Sequence, residues 1–343
     1  MPEKLVNKSG VPELFFKAAQ IDRHVTAGDI SVTQLIDAPQ IRYLKKTEDY
    51  EFDVKNNLWM LFGTAVHHLP ERAEVSHFSA RYLIDAAQVL DDMKDPQAGK
   101  AADWMRNLAR EKWPEAFDDS IMVESTLSLP VNIDTDTITI SGTVDKFETE
   151  TGTLKDYKTA SVYSYIYKES REKWYAQQNV YAYMLRELGY EVNSAKIIAF
   201  FKDWSRTGML RSKDYPPSLA MEIDVPLLDH EVVGKYIKKR LHMHVQVFDK
   251  PGSIPCSGKE MWATADTYKV KKKNGKRSMK NFDNKALAQK FVDDNAMKHA
   301  GGLNIEFTPG KRRRCEEFCP VAEVCPQKQA YDAKMKELEE NGK

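Results

Sequence analysis

Apolar and polar residues alternate in two neighbouring stretches, and that alternation predicts strands. Ile121, Val123, Leu127 and Leu129 mark the first, over 120–129, and interleaved Thr and Ile mark the second, over 136–145. Lys155 to Thr159 reads as a third strand little more than a tight turn later. A helical period follows at 171–188, where Trp174, Tyr181, Leu185 and Leu188 repeat at helical spacing and Gly189 supplies the stop. The apolar run from Ile197 to Phe201 predicts a buried strand over 194–201. Upstream, 11–45 reads as helical, with a Ser/Thr cap signal at Ile30-Ser31-Val32-Thr33-Gln34-Leu35. A helix over 56–69 should end near Pro70, and the charged stretch 72–115 reads as a helical insertion or cap. Downstream, 226–248 predicts another helix, and Asn274-Gly275 a type I′ hairpin turn between lysine-rich arms.

The order helix, three strands, helix, strand is that of an α/β layer arrangement. The chain divides accordingly into an N-terminal helical segment (1–55), a core (56–205) with its insertion at about 72–115, and a C-terminal part (206–343) of helix, basic hairpin and cysteine segment. With 343 residues and 42% apolar content, it can bury a substantial core. There is no internal repeat and no low-complexity segment.

Charge changes the picture only locally. Lys plus Arg and Asp plus Glu number 51 each, so the net charge is zero, which argues against a protein that coats nucleic acid generally. Two basic runs remain, one from Lys269 to Arg277 and one from Lys311 to Arg314, each readable as a solvated loop or as a phosphate contact. No apolar run reaches transmembrane length and no signal-peptide core is present, so a soluble, cytoplasmic protein without membrane contact is expected. No glycine-rich phosphate loop occurs, so ATP hydrolysis is not expected of this chain.

The chemistry concentrates in four places. Asp156 and Lys158 lie two apart on a predicted strand and so share a face, with Tyr157 pointing away. Asp145 ends the preceding strand; a hairpin through Thr149–Gly152 would bring two carboxylates and an ammonium to one point, a grouping that suits a divalent cation and phosphodiester hydrolysis. Strand-end acids paired with nearby lysines are the plainer alternative. His67 lies four residues after Gly63 on a predicted helix; the glycine would permit a close approach to the sheet, tipping the imidazole toward the acids, with His68 the weaker choice. A histidine ligand would favour Mn²⁺ over Mg²⁺. Gln177 and Tyr181, at i and i+4, share a helix face that could meet the scissile phosphate, or simply pack in the core. Lys202-Asp203-Trp204 could line a DNA channel, although Trp204 could equally be packing.

Four cysteines complete the inventory: Cys315, Cys319 and Cys325 close together, and Cys256 far upstream. A disulfide framework is not expected. The spacing is not that of a zinc ribbon, and an iron–sulfur cluster, a zinc site and free structural thiols all stay open.

Gly63-x-x-x-His67, Gly142-x-x-Asp145, Asp156-x-Lys158 and Gln177-x-x-x-Tyr181 occur in the order and at the spacings of the RecB-like branch of the PD-(D/E)XK nuclease superfamily, which the chain resembles over roughly 30–205 and more loosely beyond. The resemblance implies a restriction-endonuclease-like core, a central mixed sheet flanked by helices, with a helical insertion and a cysteine-rich C-terminal segment. It implies that His67, Asp145 and Asp156 bind Mg²⁺ or Mn²⁺ with the Tyr157 carbonyl, that Lys158 assists the water nucleophile, and that Gln177 and Tyr181 contact DNA. Pro70, close behind His67, departs from the family pattern.

Several RecB-like nucleases also carry a four-cysteine [4Fe–4S] cluster. By that likeness Cys256, Cys315, Cys319 and Cys325 would hold one here, in a structural role, with zinc as the alternative metal. In helicase-linked relatives the fourth cysteine precedes the core, where this chain has Ala38-Pro39. The function so implied is a DNA exonuclease of phage-type recombination or DNA repair, acting on single- or double-stranded ends in the host cytoplasm beside a recombinase or single-strand annealing protein. A CRISPR-adaptation-type nuclease and a non-catalytic DNA-binding module on the same fold are the alternatives.

Overall fold

The computed structural model describes residues 3–21, 27–71, 75–117, 120–273, 275–299 and 301–341. In place of one helical segment over 11–45, it has β1 (Glu3–Val6), α1 (Glu13–Ile21), β2 (Ile30–Ser31), α2 (Val32–Ile36), α3 (Pro39–Thr47) and β3 (Tyr50–Asp53). Two local causes break the helix. Ile30 and Ser31 pair in parallel with Ile140 and Ser141, and Pro39 opens α3 as a helix-starting residue that cannot extend α2. The cap signal is real but acts one residue later than Ile30. Ser31 Oγ accepts from Gln34 N–H while Gln34 Oε1 accepts from Ser31 N–H, both at 3.2 Å, a reciprocal capping box.

Contacts divide the chain into two compact units: Leu5–Ile36 with Asp53–Val245, and Met1–Lys4 with Asp37–Phe52 and Gln246–Lys343. The larger unit continues with α4 (Val54–Glu71), α5 (Val75–Asp92), α6 (Pro96–Lys112), β4 (Ile121–Ile133), β5 (Asp136–Glu148), β6 (Thr153–Ala160), α7 (Val162–Ile166), α8 (Glu172–Glu187), β7 (Ser194–Phe201), α9 (Arg206–Arg211), β8 (Ala220–Val225) and the start of α10 (His230–Asp249). α4 runs through Pro70 to Glu71 instead of stopping before the proline. α5 and α6 form a helical hairpin at the expected insertion. Ala80 and Ala87 on one helix and Ala102 and Ala109 on the other are buried at seven-residue spacing, so their small side chains let the two backbones approach closely. Asp95 caps α6 through Gln97 and Ala98 N–H, and Arg106 reaches Asp91 across the hairpin.

The central sheet is mixed, as expected. Its order is β2-β5-β6-β7-β8, with β4 along the other edge of β5; β2–β5 and β6–β7 are parallel, and the remaining pairs are antiparallel. β8 went unread in the sequence because its alternation is short and half exposed. Val180, Tyr181, Met184 and Leu185 of α8 and Val233, Ile237 and Leu241 of α10 supply i, i+4 stripes that share one core with Ile140, Leu154, Ile197 and Phe201 of the sheet.

Strand β5 changes partners along one edge, and this change makes the site. β2 takes Ile140 and Ser141, β6 takes Lys146 to Glu148, and Gly142 to Asp145 lie in the gap between them.

The smaller unit completes the numbering with β9 (Thr267–Lys272), β10 (Ser278–Phe282), α11 (Lys285–Asn295), β11 (Leu303–Thr308), α12 (Arg313–Glu317) and α13 (Pro326–Asn341). β9 is central, antiparallel to both β10 and β11, with α11 against the sheet. The predicted hairpin strands are therefore present, while Asn274 of its turn lies outside the described residues. No helix among the described residues is long and apolar enough to cross a membrane.

Candidate active site and metal centre

The site is assembled on β4, β5, β6 and α4. On β6, Lys158 Nζ donates to Asp156 Oδ1 at 3.0 Å and stands 2.7 Å from Oδ2, so the two side chains share a face as the strand period requires. That Oδ2 is buried and receives no well-directed hydrogen bond. Asp145, in the β5 gap, accepts the Tyr157 N–H at 2.6 Å, so a carboxylate stands in for a ladder partner. His67 Nδ1 lies 3.8 Å from Asp145 Oδ2, and its ring meets Tyr157 edge-on at 5.9 Å. The His68 side chain lies outside the described residues.

The glycine argument for His67 is corrected: a Cβ at Gly63 would meet nothing within 4 Å, so no close approach to the sheet occurs there. The helix backbone as a whole, packed along β6, aims the imidazole.

One ligand candidate escaped sequence reading. His67, Glu124 and Asp145 each offer a ligand atom, and the three atoms lie within 4.8 Å of one another. Glu124 sits on β4 at the register position opposite Asp145, between the pairs Val123–Lys146 and Ser125–Val144. Its φ of 47° is left-handed, a departure from ordinary strand geometry. Only that local conformation could have flagged it; by sequence it is one more acid in a strand.

Burial, then the Asp156 charge, push the Asp145 carboxyl well above the usual range, and Lys158 and the Tyr157 N–H offset this only in part. Burial alone would lower Lys158, yet Asp156 and Asp145 outweigh it and raise its pKa, so the group is held as an ammonium. Three carboxylates, one with a buried oxygen that receives no well-directed hydrogen bond, and an imidazole make a hard, oxygen-rich donor set. That set fits Mg²⁺ or Mn²⁺, whose charge would relieve the repulsion between the acids.

Gln177 and Tyr181 are brought to the same place, but as support. Tyr181 is buried, its hydroxyl is hydrogen-bonded to Gln177, and burial raises its pKa. A Cβ at Gly142 would stand 2.7 Å from the Tyr181 ring and 2.9 Å from its hydroxyl, so the glycine of Gly142-x-x-Asp145 makes room for the tyrosine of Gln177-x-x-x-Tyr181. Trp204 also packs: it is half-buried against the core and donates its indole N–H to Pro216 O at 2.9 Å.

The sequence profile of the PD-(D/E)XK nuclease superfamily matches residues 40–326. The chain belongs to that superfamily. Membership of the PD-(D/E)XK nucleases implies a metal-dependent nuclease, and such enzymes typically use Mg²⁺ or Mn²⁺. Comparison with curated protein sequences returns no match. Among solved structures, that titled "Crystal structure of SSO0001" is similar at 11% identity, over 70% of this chain and 88% of that one, with a TM-score of 0.37.

In this PD-(D/E)XK chain the four cysteines also converge. Cys256, Cys315, Cys319 and Cys325 are unbridged and line one small cavity with Ile41, Leu44, Met261, Val321 and Arg314. The sequence-distant Cys256 is held there by a double hydrogen bond, its N–H to Gln327 Oε1 and Gln327 Nε2 to its carbonyl, both at 2.9 Å. Burial and neighbouring thiols push Cys256 up to about 12 and raise Cys315 and Cys319. Of the second basic run, three residues are committed within the unit: Arg314 grips Asp37 with two nitrogens (2.8 and 2.6 Å), Arg312 lies 4.2 Å over Tyr331, and Arg313 pairs with Glu317. The first run is divided: Lys271 pairs with Glu306, whereas Lys272, Lys273, Lys276 and Arg277 make no ion pair among the described residues.

Proposed function

We propose that this chain is a metal-dependent DNA exonuclease that resects strand ends in phage-type recombination or repair, supplying single strands to a recombinase or annealing protein. One observation carries the reading: His67, Glu124 and Asp145 meet within 4.8 Å beside the Asp156–Lys158 pair. His67, Asp145, Asp156 and Glu124, with the Tyr157 carbonyl, would hold Mg²⁺ or Mn²⁺. The ion would supply Lewis acidity toward the phosphate and lower the pKa of a bound water. Lys158, beside Asp156 and Asp145, would steady the attacking hydroxide or the charge that develops on the phosphate oxygens. Tyr181 and Gln177 keep β5 and α8 in register beneath the site.

The cysteine cavity is read as the seat of a [4Fe–4S] cluster with a structural role. Supporting this, all four thiols, including the sequence-distant Cys256, line one cavity, and their spacing is not that of a zinc ribbon. The lysine-rich β9–β10 ribbon is read as a phosphate contact.

The deciding experiment is a time course on end-labelled linear and circular DNA, single- and double-stranded, with Mg²⁺, Mn²⁺ or chelator. Metal-dependent loss of end label from linear DNA, with circles spared, is expected. Binding without cleavage in any metal would instead make the chain a non-catalytic DNA-binding module.

A further inference from the structure

We propose that Trp59, Lys202 and the Tyr163–Tyr167 pair form a stacking platform for unpaired bases, so that the strand entering the metal centre is single-stranded over the nucleotides next to the cleaved bond. The proposal rests on the DNA-nuclease reading and adds the form of the substrate.

Beyond Lys158, β6 ends at Ala160 and Ser161 opens α7. The next strand over, β7, ends beside it: Lys202 N–H donates to Ala160 O at 2.9 Å, and Asp203 Oδ1 accepts the Val162 N–H at 2.7 Å. The Lys202 ammonium stands 3.6 Å from the centroid of the Trp59 ring. Trp59 lies on α4, eight residues before His67, hence two helical turns and about 12 Å away. With α4 packed along β6, His67 sits at the acids and Trp59 at the strand's C-terminal end. A continuous run of contacts therefore links the metal centre to Trp59, Lys202 and α7.

At that end the surface is aromatic where solvent should favour polar groups. Trp59 is 60% exposed, Tyr163 59% and Tyr167 50%. The two tyrosine rings lie 4.3 Å apart, tilted at 32°, and Phe62 braces Trp59 edge-on at 6.3 Å. A flat exposed ring beside an ammonium, with a pair of exposed tyrosines on the adjoining α7, is chemistry suited to bases on a phosphate backbone. A duplex keeps its base faces stacked inside and cannot use them. An unpaired strand can.

The test measures binding of the full-length chain in chelator, where no cleavage intervenes, to a labelled single-stranded oligonucleotide and a blunt duplex. Trp59→Ala and Tyr163→Ala should each weaken single-strand binding about 5- to 150-fold, the equivalent of removing one base stack, with duplex binding nearly unchanged. Trp59→Phe should restore most of that affinity. An abasic site scanned along the oligonucleotide should weaken wild-type binding at one or two positions and have no further effect in Trp59→Ala. Equal losses for single strand and duplex, or a flat abasic scan in wild type, overturn the platform and leave the nuclease reading standing. Failure of the wild type to bind either form would remove the nuclease reading, and the platform with it.

Discussion

A glutamate with a φ of 47° at the fourth position of a 13-residue strand is an unfavourable conformation, of the order of 1–3 kcal/mol, that needs a compensating reason. The reason here is the site: at the register position opposite Asp145, Glu124 joins that carboxylate and His67. Two variants separate conformation from chemistry. Glu124→Ala removes the carboxylate and keeps a Cβ at positive φ; Glu124→Gly removes both. Both should lose cleavage at least a hundredfold and weaken Mn²⁺ binding measured by calorimetry. In thermal melts, Glu124→Gly should be the more stable of the two by about 1 kcal/mol. Equal stability would mean that the backbone there is not under strain. Lys158→Ala should abolish cleavage while sparing Mn²⁺ affinity, because the ammonium repels the ion it sits beside; a parallel loss of both would make it a structural partner of Asp156. Most of this site was legible in the sequence, since a strand's two-residue period fixes Asp156 and Lys158 on one face wherever the strand goes. Glu124 was not, because a single left-handed residue leaves no periodic trace.

At the scale of elements, the gap in β5 between β2 and β6 explains two motifs at once. Gly142 lies in that gap, and Tyr181 fills the space a side chain would occupy. Gly142→Ala should therefore destabilise the fold by about 1–3 kcal/mol through overpacking, read as a fall in the denaturant midpoint. Cleavage should fall further than stability accounts for, since Asp145 is three residues along the same stretch between the β2 and β6 pairings. Normal stability would place Tyr181 elsewhere. The sequence showed the i, i+4 spacing of Gln177 and Tyr181, but not which way that face turns: a tyrosine carries both an apolar ring and a polar tip, and the pattern fits core and surface alike. The basic runs divide for a similar reason. Charge density is visible in sequence and pairing is not, so Lys311–Arg314 and Lys272–Arg277 look alike until Asp37, Tyr331 and Glu317 are found against the first. Replacing Lys272, Lys273, Lys276 and Arg277 together by Ala should shrink the dependence of log K for DNA on log salt by up to about 0.9 for each phosphate no longer neutralised. An unchanged slope would leave the ribbon as a solvated hairpin.

For the whole molecule, all four cysteines fall in the smaller unit and the nuclease sheet in the larger. Cys256 and Cys315 are joined by a chain that includes β9, β10, α11 and β11, and all four cysteines face Ile41 and Leu44 of α3, a helix nearly three hundred residues from Cys325 but in the same unit. A few buried residues gather there (Ala38, Ile41, Leu44, Tyr50, Val321 and Cys325), against 28 in the core of the larger unit. So small a core is poorly supplied to close loops of this length, and a metal cluster joining four points would offset much of the chain entropy involved. Anaerobically purified protein should accordingly be brown, with broad absorbance near about 400 nm from sulfur-to-iron charge transfer. Cys256→Ser should lose that colour and, in hydrogen exchange, lose protection across 246–343 while β5, β6 and β7 keep theirs. Stoichiometric zinc in colourless protein would exchange the cluster for a zinc site with the same fold-closing task. Uniform loss of protection through both units would show that the cysteines hold the whole chain together, and full protection in a metal-free quadruple Ser variant would reduce them to packing.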